Sequence, residues 1–423
     1  MVNKSLLFTV FRLKTQVTFD ANKNDITPNS LFKYGKDRYF RFLKSDILNL
    51  DDAKIRRYHI KRQFLVGGNK NIELEDFYLS MLVFPEQQTG FFLFDFNWTS
   101  HSDDPLSEIA HFYELRYLGI ENNRRTTSNN DKRSENLLKI KNNTSEYTWS
   151  DIINSEFSDT PHLLENIEFY SNKLGRLHLI NYNSIDLNNE EFFLKAYDAI
   201  RIVGKNKGES LNVQSDMTLY TDPRIKSLAM NEGFVIFEKG LTAQKLHEKY
   251  APIIYQSIIT KLAFTDISYR LLAFDSEIRI NPRKGIKNSD SIDSIRELRK
   301  YFLLIKFSSK VPISNYNEIE KIRAYFLQKF CSEIDFEMFS DSLEDLFAFL
   351  QDERDREDSN RNEKMSLILG VLGITGFISF IFDYIFVKGE VRLIDYLKGP
   401  TTWFPILSFF LVTVLFYPLI KKR

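Results

Sequence analysis

The chain has 423 residues, enough for one large domain or two to three ordinary ones. Lys plus Arg and Asp plus Glu both number 57, so overall charge points to no particular partner, and direct nucleic-acid binding is not expected. Phe and Tyr are abundant, at 38 and 20, against 16 Gly and 11 Pro, which suits large packed cores and argues against low-complexity sequence. One cysteine, Cys331, excludes an internal disulfide and fits a reducing compartment.

At the N-terminus the apolar run Leu6 to Phe11 is too short for the core of a signal peptide and reads as an opening β-strand. Strands are expected at Phe8 to Leu13 and Tyr39 to Leu43. A hairpin is expected between Met81–Phe84 and Phe91–Phe94, across Pro85 to Gly90. Leu106 to Leu118 reads as a helix, and the polar stretch Glu121 to Tyr147 as a long loop. Further strands are expected at Arg176–Ile180, Thr218–Tyr220 and Phe234–Phe237, with a helix near Glu190 to Ile200.

After Gly240 the pattern turns helical: Leu241 to Phe274 with a break at Pro252, then Ser291 to Phe307 and Asn317 to Cys331. Phe336, Phe339, Leu343, Leu346 and Leu350 follow a 3-4-3-4 spacing, the seam of a coiled-coil-like contact or of a helix lying on the soluble core. No proline interrupts the chain from there to Phe382.

Met365 to Phe382 carries no charge, and Tyr384 to Val387 extends the run past Asp383; a second uncharged run spans Gly399 to Ile420. Each is long enough to be expected to cross a bilayer at 1.5 Å per residue. Arg361 and Lys364 precede the first run, and Lys421, Lys422 and Arg423 follow the second. By the positive-inside rule both termini are expected in the cytoplasm of a multi-pass inner-membrane protein. The expected fold class is therefore an α+β cytosolic domain followed by a helical stalk and two C-terminal transmembrane helices. Its domains are residues 1–240 (sensor), 241–364 (stalk) and 365–423 (membrane hairpin with basic tail).

A large cytosolic α/β domain, a helical stalk, two C-terminal spans and a basic tail resemble the CorA superfamily of metal-ion transporters, over roughly residues 240 to 423. Arg361-Asn-Glu-Lys-Met-Ser-Leu-Ile-Leu-Gly370 resembles that family's junction between stalk and membrane. Where the family carries Gly-Met-Asn, this chain has Phe382-Asp-Tyr-Ile-Phe-Val387, which departs from the magnesium-transport pattern. The layout is most similar to the CorA-like effectors found beside type III CRISPR systems. That resemblance implies a homo-oligomeric channel or membrane-disrupting effector gated by a nucleotide second messenger. Alternatives are a divalent metal-ion transporter and a non-conducting, membrane-anchored binding or scaffold protein.

Two spans per chain cannot enclose a pore, so the expected partners are the lipid bilayer and copies of the same chain in a ring. Gly370, Gly373 and Gly376 form a small-residue track, and Leu367, Val371, Ile374, Ile378 and Ile381 share one face that would line a hydrophobic gate or meet lipid. Asp383 would sit at a pore mouth or in interfacial water. Glu333 to Asp358 holds eleven acids and two bases; Glu353, Asp355, Glu357 and Asp358 would form an acidic entrance or a solvated helix face.

For a regulatory anion the densest basic segment is Lys54-Ile-Arg-Arg-Tyr-His-Ile-Lys-Arg62. Arg56, Arg57, Lys61 and Arg62 suit phosphate, and Tyr58 or His59 a stacked base; a basic strand face at the surface is the alternative. Gly204 to Ser210 lacks the spacing of a phosphate loop, His101 with Asp103 and Asp104 reads as a turn, and the remaining histidines show no metal spacing. No catalytic constellation emerges, so neither an enzyme, a cofactor nor a bound metal is expected.

Overall fold

The structure is a computed structural model that describes residues 2–27, 53–66, 72–99, 118–119, 138–141, 145–182, 188, 190–191, 218–230, 233–280, 289–310, 317–330 and 336–386. The strand expected at Tyr39–Leu43 and the second apolar run lie outside these residues. So do Cys331, Gly204–Ser210, His101 to Asp104, and most of the helices expected at Leu106–Leu118 and Glu190–Ile200. The chain divides into two compact units: Met1–Arg279 with Glu297–Asp341, and Ile280–Arg296 with Ser342–Arg423.

The first unit is built on one thirteen-stranded sheet. Its strands in chain order are β1 (Val2–Leu13), β2 (Asp25–Ile26), β3 (Lys54–His59), β4 (Phe64–Val66), β5 (Glu73–Phe84), β6 (Thr89–Thr99) and β7 (Leu138–Ile140). They continue as β8 (Glu146–Tyr147), β9 (Ile167–Phe169), β10 (Gly175–Tyr182), β11 (Thr218–Thr221), β12 (Ile225–Met230) and β13 (Gly233–Lys239). The spatial order is β11-β12-β13-β10-β1-β6-β5-β4-β7-β8; β3 pairs with β2 and β5, and β9 with β1. Only β10 and β13 run parallel among the described pairs. The polar stretch read as a loop over Glu121–Tyr147 contributes β7 and β8, because Leu138 and Ile140 pair with β4 and supply the apolar contact that the local composition hides.

Both faces of the central strands are covered, so β1, β5 and β6 read as near-continuous apolar runs rather than as alternation. One face carries Leu7, Phe11, Met81, Phe92, Phe94 and Phe96, and packs against helix α1 (Trp149–Glu156) and the short α2 (Pro161–Glu165). Trp149 lies 4.6 Å from Phe94 and 6.0 Å from Phe77, and Phe157 lies 5.5 Å from Phe92, between ring centroids. Each such pair adds about 0.5–1.5 kcal/mol beyond its buried area. A capping box starts α1: Thr148 Oγ1 accepts from the Asp151 amide at 3.1 Å, and Asp151 Oδ2 accepts from the Thr148 amide at 2.7 Å.

The opposite face meets α3 (Ala243–Ile280) and α5 (Asn317–Phe330), and α4 (Ser289–Lys310), in its Glu297–Lys310 part, lies against α3 with Phe302 6.2 Å from Phe264. Phe234 of β13 stacks on Phe326 of α5 at 4.2 Å. The break expected at Pro252 does not occur, and α3 runs through it. A proline inside a helix, through its lost hydrogen bond and its ring clash, costs about 3 kcal/mol. Burial of Tyr250, Ala251, Ile253, Ile254 and Tyr255 around the proline outweighs that cost.

The second unit includes Ile280–Arg296 and α6 (Phe336–Phe386) from Ser342 onward. Leu343 and Leu350 of the expected seam are buried and Leu346 is half-buried, while Arg296 lies over the Phe347 ring at 6.0 Å. Among the described residues no helix is long and apolar enough to cross a membrane. The backbone of α6 continues to Phe386, but its apolar side chains are described only from Met365 to Gly376. The fold class is corrected accordingly: the described residues form a mixed α/β sheet domain with long helices, not a domain followed by two transmembrane helices. The multi-pass inner-membrane placement and the membrane-channel description, which rested on those spans, are corrected with it.

The β5–β6 hairpin turns through Pro85–Gln88, with Gln88 at φ 54°, and returns at Gly90. A Cβ there would meet the Leu82 carbonyl oxygen and the edge of the Phe11 ring at 2.8 Å. Gly90→Ala is expected to destabilise the sheet domain by about 1–3 kcal/mol. An unchanged midpoint in urea unfolding would contradict this packing.

Candidate functional site

The basic segment singled out in the sequence is strand β3 together with the turn after it, and strand alternation splits its side chains between the two sheet faces. Arg56 and Tyr58 share the face covered by α1 and α2, while Arg57 and His59 point to the other. Arg57 Nη2 donates to Asp95 at 3.2 Å and its guanidinium lies 4.2 Å over the Tyr78 ring. His59 stacks on Tyr78 at 4.7 Å. Lys61 and Arg62 are exposed beyond the strand, with Arg62 Nη2 donating to Ser155 Oγ at 3.1 Å. The four cations therefore do not converge on one anion position.

Arg56 lines two neighbouring cavities. A cleft of about 420 Å³ is formed by Phe19, Ala21, Ile26, Ala53, Ile55 and Met81, with Lys54, Arg56, Asp25 and Thr27 among its polar groups. A smaller pocket of about 190 Å³ shares Phe19, Ala21 and Arg56, and is completed by polar groups including Asp20, Asn22, Asp159 and His162. The strap from Thr18 to Thr27 runs between them, and its strand β2 pairs only Asp25 with Arg56 and Ile26 with Ile55.

The Arg56 side chain is 4% exposed. Its Nε donates to Asp25 Oδ1 at 2.8 Å and its Nη2 to the Asp20 carbonyl at 2.9 Å. Burial would lower the guanidinium pKa, but the hydrogen bond and charge of Asp25 outweigh it and the group is held more firmly protonated. Tyr58 is buried and donates to Asp159 Oδ1 at 3.1 Å; burial first, then the Asp159 charge, pushes its hydroxyl up to about 12. It is thus a neutral support beneath the strap and unavailable for stacking. Asp159 is held below the usual carboxylate range: burial opposes this, but hydrogen bonds from Asn22 and Tyr58 and the charge of Arg56 prevail.

Asp25, Asn22 and Asp159 escaped the sequence reading, because they lie up to 137 positions apart and carry no motif. The Asn22-Lys-Asn-Asp25 run is a turn signal that marks the strap, though not its partner. Lys54 had been grouped with the basic segment without being singled out, yet it is the exposed cation lining the larger cleft.

On α6, Leu367, Gly370, Gly373, Ile374 and Gly376 are exposed and Val371 is half-buried. A Cβ at any of the three glycines would meet nothing within 4 Å. Asp355 and Asp358 are exposed, with Asp358 4.0 Å from Arg354. Glu353, Glu357, Ile378, Ile381 and Asp383 belong to the helix by backbone, and their side chains lie outside the described residues.

Two ionisable groups are buried within the sheet. Asp95 pairs with Lys4 at 2.5 Å and with Arg57; burial would raise its pKa, but the charges of Lys4, His247 and Arg57 lower it. His178 is fully buried, its Nδ1 2.8 Å from Ser5 Oγ, and burial first, then the Arg176 charge, pushes its pKa down to about 3. Among the described residues no group of three or more His, Cys, Asp or Glu is placed to hold a metal ion. No protein-family model and no curated protein matches the chain, so the CorA-like resemblance stands on the residues quoted for it alone.

Between about pH 6.5 and pH 3 the unfolded chain binds a proton at position 178 that the native state excludes. Stability should therefore fall on acidification by about 1.4 kcal/mol per pH unit for this one group. His178→Gln should flatten that dependence between about pH 6 and pH 4.5, above the range in which carboxylates dominate. Equal slopes for both proteins in urea titrations would show that His178 is not the group responsible.

Proposed function

We propose that the chain is a non-enzymatic ligand sensor that self-associates: the sheet domain binds a nucleotide in the β2–β3 cleft, and α6 packs against copies of itself. The observation that carries the ligand reading is the cleft itself. It has the size of a small-molecule site, an apolar floor that includes Phe19, Ala21 and Met81, and two cations, Lys54 and Arg56, among its lining residues. A flat apolar base over that floor and a phosphate towards those cations satisfy both parts. The resemblance to CRISPR-associated CorA-like effectors supports the same ligand class, a nucleotide second messenger.

Self-association is supported by α6. Met365, Leu367, Ile368, Leu369, Leu372 and Ile374 are between 41% and 61% exposed. At 100° per residue, Ile368, Leu372, Met365 and Leu369 fall in one sector, and Leu367 and Ile374 lie opposite. A helix apolar on opposite sides must be covered on both. Copies of the same helix in a bundle larger than a dimer supply that cover on both sides.

Isothermal titration with AMP and ATP tests the ligand reading. The protein is expected to bind at least one of them, and Lys54→Glu, a change at an exposed position, to weaken binding about tenfold or more, which is about 1.4 kcal/mol. Absence of binding to both would sink it. For assembly, sedimentation velocity should give a species larger than a dimer that Leu369→Glu with Leu372→Glu dissociates. A monomer, or flotation with lipid vesicles in place of self-association, would overturn the bundle.

A further inference from the structure

Arg56 lines the nucleotide cleft proposed above, yet in this structure no anion can reach it. Its side chain is 4% exposed, and Asp25 Oδ1 already accepts from Nε at 2.8 Å. Asp25 itself lies on the solvent side, 40% exposed. Its other carboxylate oxygen accepts from the Asn22 amide at 2.8 Å, which closes the turn that leads the strap into β2. The same turn is tied by the Asp25 amide to the Asn22 carbonyl at 2.9 Å and by the Arg57 amide to the Asn24 carbonyl at 2.9 Å. One carboxylate therefore occupies the anion position of the buried arginine and also holds the strap down.

We propose that Asp25 is a built-in competitor for the ligand: the phosphate of a bound nucleotide takes the place of Asp25 on Arg56 and so frees the strap. The inference rests on the nucleotide reading of the cleft. The exchange is chemically matched: a phosphate can offer Arg56 Nε the charged oxygen that Asp25 Oδ1 gives it now, and a second oxygen in place of the Asp20 carbonyl on Nη2. It is also local. The strand that must yield has two residues and two paired positions, so its release disturbs no other part of the sheet. Selectivity follows from the same geometry. A neutral nucleoside cannot displace Asp25, and inorganic phosphate lacks the base that would fill the apolar floor.

The test titrates wild type and Asp25→Asn with AMP, adenosine and inorganic phosphate, and follows amide hydrogen exchange over residues 18–27 of the wild type with and without AMP. Asp25→Asn is expected to bind AMP about tenfold more tightly than wild type, with adenosine unchanged and phosphate weak in both. In wild type, saturating AMP should accelerate exchange at Asn22 and in the strap. If wild type binds AMP but Asp25→Asn binds equally or less tightly, and AMP slows exchange in the strap, the competitor role is wrong while the nucleotide site stands. If neither protein binds AMP, the nucleotide reading fails and this inference with it. Should Asp25→Asn prove misfolded by circular dichroism, the wild-type exchange result decides alone.

Discussion

A carboxylate at Asp95 sits 4% exposed on the sheet face that α3 covers, and the arrangement around it follows from that burial. An ionised group removed from water must find its counter-charges locally or lose a proton. Lys4 on β1 and Arg57 on β3 supply them from the two sides of β6, at 2.5 and 3.2 Å. The pairing joins the chain's first strand to the strand that lines the cleft, through one buried atom group. It also commits Arg57 to the interior, which leaves its neighbour Arg56 as the arginine facing the strap.

The cleft exists because the sheet's cover ends there. Over β1, β6 and β5, apolar side chains are sealed by helices on both faces, so a ligand finds no room. At β3 the cover is reduced to the Thr18–Thr27 strap, held by a two-residue strand, the Asp25–Arg56 ion pair, a turn, and hydrogen bonds from Arg56 to the Asp20 carbonyl and from Asn22 to Asp159. A surface closed by so few interactions opens at lower cost than the core, which is where ligand-responsive segments are generally found. The large buried aromatic cluster around Trp149 holds β3 itself, through Phe157 against Tyr58 at 4.7 Å. Opening the strap therefore leaves the strand beneath it in place.

In the second unit the constraint is inverted. Leu343 and Leu350 are buried, but from Met365 onward the described side chains of α6 include large apolar groups exposed on opposite sides. Among the described residues they are 41–61% exposed, and a Cβ at the glycines among them would meet nothing within 4 Å, leaving open space where a neighbouring helix could approach closely.

Local composition determined much of this protein. The hairpin Glu73–Thr99, the opening strand, the strands ending at Tyr182 and Lys239, and the helices beginning near Ala243, Ser289 and Asn317 all carry enough apolar pattern to be read directly. Alternation along Lys54–His59 even contains the split between Arg56 and Arg57, since a strand turns successive residues to opposite faces. Tertiary structure alone decided three things. Helix α3 passes through Pro252, because burial around it exceeds the local cost. The polar segment after Glu121 yields two strands, because their partners lie in β4. Asp25 and Asp159 meet Arg56 and Tyr58, because backbone pairing and the α1–α2 packing bring distant segments together. Propensity is a property of neighbours along the chain, whereas an ion pair between residues 31 apart, or a hydrogen bond between residues 101 apart, exists only once the sheet has closed.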